Sequence, residues 1–176
     1  MTPRLHLVMT CSRFQNIAAL ADAYLCKMEP SKWELRWHIM VQGPEPDPKG
    51  VSKTNEALNA ITDGWVFMVA DDTIQHPALF RRMWEIIEAH PYAMAVVFIE
   101  QRPEGILKAS PDTVDIGQIC GGMVAFRRDA IADLRFDYAK FGQEADGHFI
   151  KDIYARHGKS FVFVNETLTT FNSIAA

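Results

Sequence analysis

Trp65-Val66-Phe67-Met68-Val69-Ala70 is an unbroken apolar run, preceded by the turn signal Asp63-Gly64 and followed by the acidic pair Asp71-Asp72. A strand with one wet face alternates apolar with polar side chains, so a run without alternation predicts a strand covered on both faces. In a chain of 176 residues, helices on either side of a sheet supply such cover. Apolar periodicity provides them. Ile17, Leu20, Ala21, Tyr24, Leu25 and Met28 form one helical face, and Lys53 to Ile61 a second helix. Leu79, Phe80, Met83, Trp84 and Ile87 mark a third, with His76 as its cap and Pro77 at its first position. Phe149, Ile150, Ile153, Tyr154 and His157 share a face of the last helix, stopped by Gly158.

Leu5 to Thr10, about Leu35 to Val41, and Met94 to Ile99 read as further strands. Strands alternating with helices through right-handed crossovers predict an α/β fold: a single domain over 1–176 with a mostly parallel central sheet flanked by helices. The proline-rich stretch from Gly43 to Gly50 is a surface loop. Beyond Glu100 the sequence predicts a hairpin around Pro103-Glu104-Gly105 and a short strand from Met123 to Phe126. A helical segment near Arg128 to Leu134 and a strand from Phe161 to Val164 follow, and then a polar tail.

Lys and Arg number 18 against 22 Asp and Glu, a net charge of −4 with no basic cluster, which argues against a nucleic-acid surface. The longest apolar run, Tyr92 to Ile99, is too short to span a bilayer, and Met1 to Thr10 lacks a secretory signal, so the expected compartment is the cytoplasm. Cys11, Cys26 and Cys120 match neither a zinc spacing nor a disulfide framework and read as small buried hydrophobes.

Sheets of this kind bind ligands beyond the carboxyl ends of their strands, here after Thr10, Val41 and Ala70. Asp71 and Asp72 stand at one such end, where adjacent carboxylates repel unless a cation or a ligand donor offsets them; the alternative is a solvated turn. Glu144 and Asp146 lie at the mouth of the last helix, favoured by its dipole and also placed to take a proton from an acceptor hydroxyl. Thr10, Ser12 and Arg13 bring hydroxyls and a guanidinium to the end of the first strand, where a phosphate could sit. Gly121-Gly122 is either a close backbone approach to a ligand or a bulge.

In their order these segments resemble the inverting, nucleotide-sugar-dependent glycosyltransferases of GT-A fold, as a small, minimal member. Leu7 to Arg13 resembles the family's first strand and nucleotide-contacting turn, which implies contacts from Thr10, Ser12 and Arg13. The helix with Lys53-Thr54-Asn55-Glu56-Ala57-Leu58-Asn59 is similar to the one ahead of the central strand. Trp65 to Thr73 resembles the strand that ends in an Asp-x-Asp motif, implying Mg²⁺ or Mn²⁺ on the diphosphate. If Pro77 sets the alignment, Asp72 is the metal ligand and Ala70 replaces the first aspartate; if the strand sets it, Asp71 is first and Thr73 last. Asp71 would face the ribose or the donor sugar. Gln42, Glu45 or Asp47 would replace the acid usually found after the second strand.

The resemblance further implies that Gly121 and Gly122 border the donor sugar and acceptor, that Glu144 is the general base and that Asp146 orients the acceptor. Residues 1–100 would form the nucleotide-binding half and 101–176 the acceptor-side half. The implied activity is transfer of a sugar from a nucleoside diphosphate donor, a UDP-sugar first, to a hydroxyl acceptor, with a second copy of the chain as one way to complete a short acceptor region. A non-catalytic nucleotide-sugar or glycan-binding protein is the alternative. A nucleotidyltransferase is third, disfavoured because Cys11 to Asn16 contains no glycine.

Overall fold

Burial on both faces is what the central strands display. The computed structural model describes residues 3–41, 51–171 and 173–174, and in it Trp65, Val66 and Phe67 are all buried. Seven strands form one sheet: β1 (Arg4–Cys11), β2 (Glu34–Val41), β3 (Trp65–Met68), β4 (Ala95–Arg102), β5 (Gly105–Leu107), β6 (Val124–Arg127) and β7 (Phe161–Thr170). β2 and β3 flank β1 in parallel, β6 lies antiparallel between β3 and β4, and β4 carries β7 in parallel and β5 as the expected antiparallel hairpin.

Helices cover both faces. On one side α2 (Val51–Ala60), α4 (Arg128–Ile131) and α6 (Ala145–His157) enclose Val8, Val66, Ala95, Val97 and Phe126. On the other, α1 (Ile17–Ala21) and α3 (Leu79–Ala89) cover Leu5, Leu7, Met9, Phe67, Val96 and Phe98. A last short helix, α5 (Tyr138–Phe141), leads towards α6. The strands therefore do alternate; both sets of side chains meet apolar partners, which hides the period in the sequence.

Several expectations need correction. The first helix keeps its α geometry only to Ala21, then widens into a π turn over Asp22–Lys27. An extra residue in the turn shifts the phase of the face, so Tyr24 is buried while Leu25 is 61% exposed and Cys26 is exposed rather than core. The third helix begins at Leu79, two residues beyond Pro77, because the Pro77 carbonyl accepts from Glu29 N (2.9 Å) instead of opening a helical ladder. His76 still caps the approach, its Nδ1 accepting from Ala78 N at 3.1 Å. Gly158 is helical, with φ −53°, and not a left-handed stop. What excludes a side chain there is the Tyr154 ring, 3.0 Å from where a Cβ would stand.

The final strand also runs on to Thr170, through residues expected to be tail. Its register against β4 shifts twice, between the partners of Val97 and Ile99 and between those of Ile99 and Glu100. The surplus residues accommodate the polar stretch: Asn165 accepts from Lys108 and Glu166 pairs with Arg82. Leu168 and Thr169 then return to the interior.

A candidate functional site at the carboxyl rim of the sheet

Because β6 runs against its neighbours, its beginning lies at the same rim as the ends of β1, β3 and β4. Thr10, Met68, Glu100, Gly121 and Gly122 consequently line one cleft of about 270 Å³, joined by Ala70, Thr73, Gln75, Thr54 and Asp146. Two polar clusters shape this rim.

The first is built on Asp71, a residue only 5% exposed. Its Oδ2 accepts from Ser12 N (2.6 Å), Ser12 Oγ (3.0 Å) and Arg13 N (2.7 Å), and its Oδ1 accepts from Arg13 Nη1 (2.7 Å). Burial pushes this carboxyl up, but the Ser12 and Arg13 N–H groups, the Ser12 hydroxyl and the Arg13 charge outweigh it and hold the group below its ordinary range. The same Arg13 Nη1 donates to Asp72 Oδ2 at 2.6 Å, and Thr73 Oγ1 donates to Asp72 Oδ1 at 3.1 Å. Each of the four carboxylate oxygens thus already carries a donor.

The loop bearing this pair is tied from three sides. Asn16 Nδ2 donates to Asp71 O (3.0 Å), and the π turn lets Tyr24 OH reach Thr73 O (2.8 Å). From the end of the chain, Ile174 N donates to Asp72 O (2.9 Å), Ser173 Oγ accepts from Ile74 N (2.5 Å), and Gln75 Oε1 accepts from Thr170 N (2.7 Å).

The second cluster faces it from β4, β6 and α6. Asp146 Oδ2 accepts from Gly121 N (3.2 Å) and its Oδ1 from Gly147 N (2.8 Å), in the first turn of α6 where the helix dipole favours negative charge. Glu100, 1% exposed, accepts from Arg102 Nε (2.7 Å) and from the Cys120 thiol, with Sγ 3.2 Å from Oε2. Burial, reinforced by the Glu100 charge, pushes the Cys120 thiol up, so it is a protonated donor at neutral pH. A Cβ on Gly122 would stand 3.1 Å from Glu100 Oε2, so glycine there preserves the approach of backbone to carboxylate.

Of the residues singled out in the sequence, the structure brings Thr10, Gly121, Gly122 and Asp146 to the cleft wall. Ser12, Arg13, Asp71 and Asp72 form one hydrogen-bonded group on the loop whose neighbours Ala70 and Thr73 line the cleft. Lys53 pairs with Glu56 and stays off the wall, which its neighbour Thr54 joins. Glu144 is exposed, stands just before α6 without a capping side-chain bond, and does not line the cleft. Gln42, Glu45 and Asp47 lie outside the described residues. Glu100 escaped the sequence reading, although it is the first charged side chain after the apolar run of β4, the same signal that singled out Asp71.

The acidic pair, as arranged, does not fit a divalent cation. Two of the donors on Asp71 Oδ2 are backbone N–H groups, which cannot become acceptors, and the oxygens that converge, Asp71 Oδ1 and Asp72 Oδ2, converge on a guanidinium nitrogen. Among the described residues, no group of three or more His, Cys, Asp or Glu side chains is placed to hold a metal.

No family model matches the sequence, and no curated protein matches it significantly. Solved structures do. S. aureus TarS 1–349 superposes with a TM-score of 0.75 at 11% identity, covering 97% of this chain and 60% of that one. The mannosyltransferase PcManGT from Pyrobaculum calidifontis, in complex with GDP-Man and Mn²⁺, gives 0.66 at 14% identity, covering 98% and 57%. The fold is that of the GT-A glycosyltransferases. Glucosyl-3-phosphoglycerate synthase from Mycobacterium tuberculosis, in complex with Mn²⁺, UDP-Glc and phosphoglyceric acid, gives 0.64 at 15% identity, covering 94% and 71%. TarS 1–349 has also been solved with UDP and with UDP-GlcNAc. The chain spans less than two-thirds of the TarS 1–349 and PcManGT chains. Among the described residues no helix is long and apolar enough to cross a membrane.

Proposed function

We propose that the protein transfers a sugar from a nucleoside diphosphate donor, a UDP-sugar first, to an acceptor hydroxyl with inversion. One observation carries this reading: in a GT-A fold, the Arg13–Asp71–Asp72 group and the Asp146 carboxylate belong to two sides of one rim, joined by a cleft. Thr10 and the loop of Asp71 and Asp72 seat the nucleotide, and Gly121 and Gly122 leave room for the sugar. As the acceptor oxygen attacks the anomeric carbon, its proton passes to a carboxylate, the bond to the diphosphate breaks, and the electron pair leaves with the diphosphate. Attack from the side opposite the leaving group inverts the centre. Asp146 is the base in this scheme, in place of Glu144, because it is the member of that pair that lines the cleft. Mg²⁺ or Mn²⁺ at Asp72, which the sequence suggests for the leaving charge, takes no step here because the donor set does not suit it.

The test is calorimetric titration with UDP and GDP, followed by UDP release from UDP-glucose and UDP-GlcNAc with and without simple sugar acceptors. Nucleotide binding and turnover in the wild type, with turnover lost and binding kept in Asp146→Asn, is the expected result. Absence of nucleotide binding overturns the reading. Binding without turnover favours the non-catalytic alternative, which the Arg13 guanidinium on the Asp71–Asp72 pair supports.

A further inference from the structure

We infer that Arg13 stands where a divalent cation would otherwise sit, so that the protein binds its nucleoside diphosphate without a metal. The inference rests on the nucleotide-sugar reading and narrows it to one group.

Arg13 spends a single nitrogen on the acidic pair. Nη1 lies 2.7 Å from Asp71 Oδ1 and 2.6 Å from Asp72 Oδ2, so one atom bridges carboxylates from consecutive residues, as a shared cation does. Its own backbone N–H is bonded to Asp71 as well, at 2.7 Å, which fixes the start of the side chain and its end against the same acid. Nε and Nη2 hold no partner among the described residues, and the side chain is 41% exposed. This is the other half of the guanidinium: an anchored, half-exposed edge with parallel N–H donors, the geometry that grips a phosphate through two bonds. The carboxylates, 7% and 12% exposed, orient the edge without competing for it.

Charge points the same way. A metal ion entering between the two carboxylates would have to expel Arg13 and leave the guanidinium without its partners, next to a second cation. The guanidinium brings its own positive charge to the site. It would meet a diphosphate in the ground state and the greater charge that develops on it as the sugar departs.

The experiment uses the full chain, with Mn²⁺ alone as one probe and UDP as the other. Free Mn²⁺ is followed by electron paramagnetic resonance as protein is added, and UDP affinity by calorimetry in EDTA and in excess Mn²⁺. The wild type is expected to leave the Mn²⁺ signal unchanged and to bind UDP within about two-fold equally in both buffers. Arg13→Met, which keeps the stem and removes the charge, is expected to lose roughly ten-fold or more of UDP affinity in EDTA, to take up Mn²⁺, and to regain UDP affinity when Mn²⁺ is present. Arg13→Lys keeps a charge without the fork and serves if Arg13→Met does not fold: it should bind UDP more weakly than wild type, with no gain from Mn²⁺. Depletion of the Mn²⁺ signal by the wild type, or a gain of about ten-fold in its UDP affinity with Mn²⁺, overturns the inference. If UDP fails to bind in every buffer while the Mn²⁺ arm behaves as expected, the cation position of Arg13 stands and the nucleotide reading falls.

Discussion

The two sides of the cleft hold their acids in opposite ways. Around Asp71 and Asp72 every carboxylate oxygen is engaged, by backbone N–H groups, a hydroxyl and a guanidinium. Across the rim, Asp146 receives one neutral backbone N–H on each oxygen, has no cationic partner among the described residues, and lines the cleft. A guanidinium holds Asp71 and Asp72 together as a charged unit, whereas neutral backbone groups alone hold Asp146. That difference lies in the charge of the partners, which acidity and sequence position alone do not disclose.

Turnover is where that contrast should be largest. Asp146→Asn is expected to lower sugar transfer by roughly 10²-fold or more while UDP affinity stays within a few-fold, and Glu144→Gln to leave both near wild type. Rates of UDP release measure this; a large loss in Glu144→Gln with none in Asp146→Asn would reverse the assignment. Stability should show the opposite ranking. Asp71→Ala removes a buried acceptor from two backbone N–H groups, a hydroxyl and a guanidinium and is expected to cost about 3 kcal/mol in urea unfolding, whereas Asp146→Ala, a half-buried residue losing two backbone bonds, costs about 1 kcal/mol or less. Equal losses would erase the distinction drawn between the two sides.

A smaller effect is expected at Gly122. Its Cβ would crowd the tip of a side chain, not backbone, so Gly122→Ala should cost about 1 kcal/mol, and the same change in Glu100→Gln should cost as much if shape, not charge, sets the limit. Thermal unfolding of the two single variants and the double variant measures this. The smallest effect lies at the far end of the sheet, where His6 Nδ1 and His38 Nε2 are 2.8 Å apart. Burial first, then the neighbouring charge on each side, holds both imidazoles below the usual 6.5. The unfolded chain therefore takes up protons first as pH falls, so this contribution is full above about pH 6.5 and is lost below it. Asp71, also depressed, adds its own slope only below its usual 3.8. Unfolding between pH 7 and 5 should accordingly be flatter in His38→Gln and unchanged in Asp71→Asn.

Much of the fold was legible because apolar runs and helical faces are local signals. Trp65 to Phe67, Ala95 to Ile99 and the face of α3 appear where periodicity puts them. What escaped depended on contacts distant in sequence. The shift of Leu25 outward follows from the π turn that carries Tyr24 to Thr73, and the late start of α3 from a carbonyl taken by Glu29. The extension of β7 needed bulges that only its partner β4 could reveal. At the rim, the carboxylates could be seen as a group, but which of them were already spent could not. Arg13 could be read as a candidate phosphate contact; its bridge between Asp71 and Asp72 required the loop to be closed.

β4 sits beside β6 and β7, both later in the chain, and the loop after β3 is fastened by residues 170, 173 and 174. β4 is therefore made before the strands β6 and β7 that pair with it, and the acidic loop takes ties from residues 95 and 99 positions further along the chain, so the loop is closed by long-range contacts.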